Sequence, residues 1–267
     1  MQRFDTGCRI SPPDARDYHV ANFLPSPGAI LLPPTRSYLP CMQPVRSQGT
    51  APTCVGHALA AGVMGYDEDV SPDARIMTAR RILSVWDSYQ GARSVQMPPD
   101  DGAYPRAALQ YAQQTGICLE SDWPYNPSSP GEPGPDSGAH RGQNQLKTYS
   151  AVECTPEGIK TALYWLGPLL IAIPAYDGLW TVDESFTVHP TGAIEGSHAV
   201  AEIGWDDSRQ ALFCRNSWGS MWGDAGNFWL PYDYPVSEAW SQTPALNDGV
   251  PPPPPAEPWW CKWFGWL

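Results

Sequence analysis

Acyl transfer by a thiol needs an ionised nucleophile, a base beside it and donors aimed at the oxyanion that forms. Four points of the chain carry residue types that meet those needs. In QGTAPTCVGHALAAG, residues 48–62, Cys54 opens a run of small residues that reads as a helix starting at the cysteine. The unpaired N–H groups and positive dipole end of a helix N-terminus favour thiolate. Gln48, six residues earlier, carries an amide able to reach the same point and donate to an oxyanion beside the Cys54 N–H. His198 begins the apolar run HAVAEIGW, and a strand edge is a rigid mount for a base. Asn216 lies in the Asn-Ser-Trp-Gly turn of CRNSWGSMWGDAGNFWLP, residues 214–231. Its carbonyl is suited to accept from the far imidazole nitrogen and fix the ring without adding charge. Trp218 is placed to roof that hydrogen bond and exclude water.

Other polar residues read as structural. His57 stands one helical turn after Cys54 and points back toward the helix start, as a packed or surface histidine. His189 falls in a loop flanked by Pro and Gly, where solvation is the default. The Asp pairs at 100–101 and 206–207 resemble turn residues, not an acid/base couple. The seven cysteines, at 8, 41, 54, 118, 154, 214 and 261, contain no Cys-x-x-Cys pair. A zinc site of the usual spacing is therefore not expected, nor is any other metal or cofactor. The odd count leaves at least one thiol unpaired within the chain, and most of these cysteines read as small buried apolar residues.

These residues need elements to hold them. A helix is expected from Cys54 to about Asp67. A second is expected over 71–90, with Ser71 as cap, Pro72 at the first helical position and Gly91 as the stop. A third covers about Pro105–Gln114. The Pro-, Gly- and Ser-rich stretch from Asn126 to Asn144 reads as flexible. Thr155-Pro156-Glu157 opens one more helix and Gly167-Pro168 closes it. Apolar runs with strand character follow at Leu169–Ile173, His198–Trp205, Ala211–Arg215 and Asn227–Leu230. A helical first half and a strand-rich second half predict an α+β fold of two lobes with a site in the cleft between them. The expected organisation is an extended arm over 1–40, a helical lobe over 41–147 and a β-rich lobe over 148–243. A tail over 244–267 follows. Its five prolines at 251–255 form a stiff spacer. Behind them, WWCKWFGWL holds four of the chain's thirteen tryptophans and either folds back on the body or docks on a partner protein or membrane interface.

Composition narrows the partners. Charged residues are 16% of the 267 and hydrophobic ones 42%, as in a globular protein, and 31 prolines predict many loops. With 16 Lys and Arg against 28 Asp and Glu, the net charge is −12. That charge, with no basic run, argues against nucleic acid as a partner. The first residues hold no apolar stretch of signal-peptide length, and no window reaches the roughly 20 apolar residues of a membrane span. The expectation is a soluble protein made in the cytoplasm.

Together these segments resemble the papain family of cysteine peptidases. The Gln-Gly…Cys block, the His-Ala-Val strand and the Asn-Ser-Trp-Gly…Trp-Gly block stand in the family's order, 144 residues separating Cys54 from His198 and 18 separating His198 from Asn216. Residues 100–127, DDGAYPRAALQYAQQTGICLESDWPYNP, are similar to the family's Gly-rich cleft loop, its helix and the Glu-Ser…Trp-Pro-Tyr passage. Residues 167–180, GPLLIAIPAYDGLW, look like the Gly-Pro strand before the histidine. The resemblance covers roughly 40–235 and is closer to bacterial and viral members than to secreted cathepsins; a viral member would reside in host cytoplasm or virion. It implies a helical left lobe with Cys54, a β-barrel-like right lobe with His198 and Asn216, and peptide or protein substrates extended across the cleft. It also implies a thioester acyl-enzyme, with Gly102 as the glycine whose backbone pairs with substrate.

Departures stand beside the likeness. Where the family has Cys-Gly-Ser-Cys-Trp, this chain has Ala51-Pro52-Thr53-Cys54-Val55. The disulfide partner before the nucleophile is absent, in keeping with a reducing compartment. Pro52 replaces a glycine lining the cleft, Val55 replaces an aromatic, and only 47 residues precede Gln48, which leaves the arm as the segment able to cover the cleft. Two alternatives follow. One is a catalytically weak or inactive relative serving as a binding or structural component of a larger assembly. The other is an amidase or transpeptidase on the same fold.

Overall fold

The computed structural model describes residues 6–66, 81–129 and 131–243. The expected helix start at 71–80, and the Pro-Trp tail over 244–267, lie outside the described residues. Strand β1 (Thr35–Ser37) leaves the arm. Helix α1 (Cys54–Gly56) continues without a break into a wider π-helical turn, His57–Val63. Helices α2 (Val85–Val95), α3 (Pro105–Gln114) and α4 (Ser137–Gln143) complete the helical half. Strand β2 (Thr148–Val152) and helix α5 (Pro156–Leu166) lead into β3 (Leu169–Tyr176), β4 (Ile194–Asp206), β5 (Ala211–Arg215), β6 (Asn227–Pro231) and β7 (Glu238–Thr243).

The strands form one antiparallel sheet in the order β2-β7-β3-β4-β5-β6, with β1 added beside the far end of β4. It runs from one edge to the other without closing on itself, and the fold is α+β. The inner strands are largely apolar where both faces are covered: every residue of β5 is buried, as is Leu169–Ile173 of β3. Each fully buried Leu or Ile contributes about 1.5–3 kcal/mol. The helix behind Cys54 lies directly on β4. A Cβ added to Gly62 would stand 2.5 Å from the Cβ of Ala201, so the small-residue run after Cys54 lets this helix sit against the strand that carries His198.

Local chemistry explains the helix ends. The Thr155 hydroxyl accepts from the Gly158 N–H at 3.1 Å, and Gly167, at φ +86°, closes α5. The helix expected over 71–90 departs from its expected bounds. Ser84 is the cap of α2, accepting from the Asp87 N–H, and the helix runs through Gly91 to Val95. Gly91 is an interior residue because the Tyr111 ring of α3 lies against it, where a Cβ would be 2.2 Å from the ring.

Part of the stretch expected to be flexible is also ordered, as α4. Its Arg141 grips the buried Asp87 of α2 through both carboxylate oxygens, at 2.7–3.0 Å. Asp87 also accepts from the Tyr111 hydroxyl at 2.9 Å and the Cys118 N–H at 2.7 Å. That partner lies 54 residues away in sequence, beyond the reach of any local pattern.

Candidate active site

Cys54 is the first residue of α1 and is fully buried. Backbone N–H groups of Ala199, Gly7, Val55 and Cys8 act to favour its thiolate. The Val55 N–H belongs to the helix start, and Ala199 follows His198 on β4, so the thiol lies where the helix meets that strand. Burial pushes the thiol above its ordinary range, with the four N–H groups opposing it.

His198 is fully buried on β4, and its Nε2 lies 2.8 Å from the Asn216 Oδ1 just past β5. The Ser217 N–H donates to the same oxygen at 2.8 Å. Since a backbone N–H only donates, that atom is the amide oxygen and His198 Nε2 is the donor. The lone pair is left on Nδ1, which is buried and makes no hydrogen bond among the described residues. Burial lowers the His198 pKa to about 4, against the Asn216 hydrogen bond. The buried arrangement therefore favours neutral imidazole and neutral thiol over a charged pair.

Trp218 packs on the imidazole, with centroids 4.8 Å apart. Trp180 stacks on the outer face of Trp218 at 5.1 Å, and Trp222 meets its edge at 4.8 Å. Only Trp218 of these three was singled out by sequence; Trp180 lies 38 positions away in the chain and nothing local marks it. Ser217 is a second addition. Its hydroxyl donates to Gln48 Oε1 at 2.7 Å, and Gln48 Nε2 donates to the Ala51 carbonyl at 2.9 Å. The glutamine amide is thus held in one orientation in the loop before Cys54. Ser217 stands inside the Asn-Ser-Trp-Gly block, and that adjacency was the available signal.

The other His near the thiol, His57, is buried with Nδ1 at 3.1 Å from the Thr53 carbonyl. Burial first, then Arg46, lowers its pKa to about 3. His189 sits exposed, 3.0 Å from Asp183. No group of His, Cys, Asp and Glu suited to a metal occurs among the described residues. None of their helices is long and apolar enough to cross a membrane.

The arm runs through the cleft. Cys8 bridges Ala103 on one side and Ser197, next to His198, on the other. The Ala103 N–H donates to the Gly7 carbonyl at 2.9 Å, and the Arg9 N–H to the Ala103 carbonyl at 3.0 Å. These hydrogen bonds fall on Ala103. The neighbouring Gly102 contributes room, because a Cβ there would stand 2.5 Å from the Gly7 oxygen. Pro52 flanks the arm on the other side, and a Cβ on Gly7 would come within 1.7 Å of its carbonyl oxygen. Only glycine fits there. Outside the cleft the arm is held by Arg9 with Asp100 at 2.8 Å, the Ser11 N–H to Glu238 at 2.9 Å and Arg106 with Asp17 at 2.8 Å.

A thiol at the start of a helix that packs on β4, and on that strand an asparagine-linked imidazole under a tryptophan, are parts suited to thiol chemistry on an α+β scaffold. The chain belongs to the papain family of cysteine proteases, whose profile matches residues 42–238. It is 25% identical over 206 residues to an uncharacterized peptidase C1-like protein of Acanthamoeba polyphaga mimivirus, covering 72% of this chain and 65% of that one. It is 30% identical over 138 residues to a cathepsin B-like protein of Giardia intestinalis, covering 48% of this chain and 46% of that one. The chain thus spans about half to two thirds of the length of these relatives. Among solved structures, xylellain, a cysteine protease from Xylella fastidiosa, superposes with a TM-score of 0.76 at 24% identity, covering 92% of this chain and 99% of that one. At that identity the likeness speaks for the fold.

Proposed function

We propose that this chain is a cysteine peptidase that cleaves peptide bonds through a thioester acyl-enzyme and that its own arm holds it latent. The observation that carries the reading is the His198–Asn216 hydrogen bond at 2.8 Å. It leaves the Nδ1 lone pair of a buried imidazole to take a proton from Cys54, which sits at a helix start.

In this reading the Cys54 thiolate attacks the substrate carbonyl carbon. The oxyanion is received by the Cys54 N–H and the Gln48 amide, which Ser217 keeps turned the right way. His198 delivers its proton to the leaving amine. It then takes one from water as the thioester is hydrolysed, returning the thiol. Asn216 keeps the ring in register through both steps, and Trp218 shields their bond from water. The substrate is a peptide or protein laid across the cleft along Ala103, where strand addition supplies main-chain hydrogen bonds. The arm now occupies that line, with Gly7 and Cys8 over the thiol, so substrate entry requires it to leave. Departure also relieves the burial that keeps Cys54 and His198 neutral.

The test is peptide hydrolysis by the parent and by Cys54→Ala, with circular dichroism to confirm that both are folded. Turnover falling to background in Cys54→Ala is the expected result. Equal turnover would remove Cys54 from the mechanism.

A further inference from the structure

The mechanism makes no use of the second thiol in the cleft. Cys8 is 1% exposed and Cys54 0%, and both are free thiols. The arm brings Cys8 to the same place: Gly7 packs on the Pro52 carbonyl, two residues before Cys54, and Cys8 bridges to Ser197 on β4, the strand against which the Cys54 helix starts. Disulfides join residues whose Cα atoms are about 4.4–6.8 Å apart, and a bond between these two requires the Cys8 side chain to turn about χ1. The Cys8 thiol now faces the Arg9 carbonyl at 3.8 Å. Burial drives its pKa well up, and the charge of a Cys54 thiolate is the next cause, which is what two adjacent sulfurs produce.

We propose that Cys8 is the resolving thiol of Cys54: oxidation joins the two in an intrachain disulfide that locks the arm into the cleft. The oxidant is a hydroperoxide. With the arm lifted, the Cys54 thiolate attacks the peroxide oxygen, giving a sulfenic acid and an alkoxide or hydroxide that takes up a proton. When the arm returns, the Cys8 sulfur displaces the hydroxyl, forming the S–S bond and releasing water. Cys54 and Cys8 are together oxidised by two electrons, the peroxide is reduced by two, and a dithiol reverses the bond by exchange. The working, arm-lifted form is the one oxidised, because burial in the covered form disfavours the thiolate that reacts. Capture by Cys8 also keeps the sulfenic acid from going on to sulfinic acid, which thiols do not reduce. This rests on the reading of Cys54 as nucleophile only where activity is the readout.

The experiment treats the full-length parent and Cys8→Ser with hydrogen peroxide, maps peptides by mass spectrometry without reduction, and assays peptide hydrolysis before and after dithiothreitol. The parent is expected to yield a peptide linking Cys8 to Cys54 and to lose activity that dithiothreitol restores in full. Cys8→Ser is expected to lose activity for good, with Cys54 as sulfinic or sulfonic acid. Cys54 reaching sulfinic acid equally fast in both proteins, with no linked peptide in the parent, would overturn the proposal. A linked peptide from a parent that hydrolyses nothing even when reduced would uphold the thiol pair and sink the peptidase reading.

Discussion

Two surfaces meet at the start of the Cys54 helix, and they are built differently. The sheet side is part of the body: His198 on β4 and Asn216, just past the adjoining β5, are 2.8 Å apart under a stack of tryptophans. The arm side is an extended segment that meets the cleft through two backbone hydrogen bonds to Ala103 and a bridge from Cys8 to Ser197. Its outlying anchors include the half-exposed pair Arg9–Asp100. The first surface has no route to leave without unfolding the sheet. The second can peel away at the cost of a few hydrogen bonds, each worth about 0.5–1.5 kcal/mol. One side is machinery and the other is a cover.

Substitutions on the two sides should act in opposite directions. The largest loss is expected on the fixed side. Gln48→Ala removes a proposed oxyanion donor and should lower kcat by about 10²–10³, with the thermal unfolding midpoint as the check on folding. On the removable side, Gly7→Ala forces a Cβ against the Pro52 carbonyl. Overfilling a packed site costs about 1–3 kcal/mol, so the open form should gain roughly 5- to 150-fold and hydrolysis should rise until opening no longer limits it. Arg9→Ala removes one partly exposed ion pair to the body, worth about 0.2–1 kcal/mol, besides hydrogen bonds within the arm to the Thr6 and Cys8 carbonyls, and its rise should stay under about fivefold. Should Gly7→Ala hydrolyse no faster than the parent, the distinction between cover and machinery fails.

The smallest expected effect concerns stability. His57 is held neutral with a pKa of about 3, against about 6.5 in an unfolded chain. Between those values the unfolded state binds the extra proton. The stability that follows from this is complete above about pH 6.5 and is lost as pH falls toward 3. In His57→Gln the drop in Tm between pH 6.5 and pH 4 should shrink by about 2–4 °C or more. The buried Glu202, whose carboxyl is pushed up, works in the opposite sense, so the readout is the difference in slope between variant and parent.

The same contrast governs what was legible in the sequence. Cys54, His198, Asn216 and Gln48 were visible because each lies within a local block whose neighbours serve it: small residues behind the thiol, an apolar strand behind the imidazole, Trp218 two positions after the amide. The helices Pro105–Gln114 and Pro156–Leu166, each opened by a proline, were visible for the same reason. What was hidden depends on distant partners. Helix α4 stands because Arg141 finds Asp87, Trp180 joins the roof from the short helical turn after β3, and the placement of Cys8 in the cleft needs the arm's bonds to Ala103 and Ser197. In the sequence Cys8 is one small residue among seven cysteines. Helix α2 runs past Gly91, which read as a stop, because the space that glycine leaves belongs to Tyr111.

The most direct measurement is the rate at which iodoacetamide labels Cys54 at neutral pH in the parent and in Gly7→Ala, followed by mass spectrometry. The exposed Cys154 serves as reference in both. The expected result is slow labelling of Cys54 in the parent and fast, selective labelling in Gly7→Ala, at an unchanged Cys154 rate. Equal Cys54 rates in the two proteins, or labelling in Gly7→Ala no faster than at Cys154, would contradict a reactive thiol kept under a removable cover.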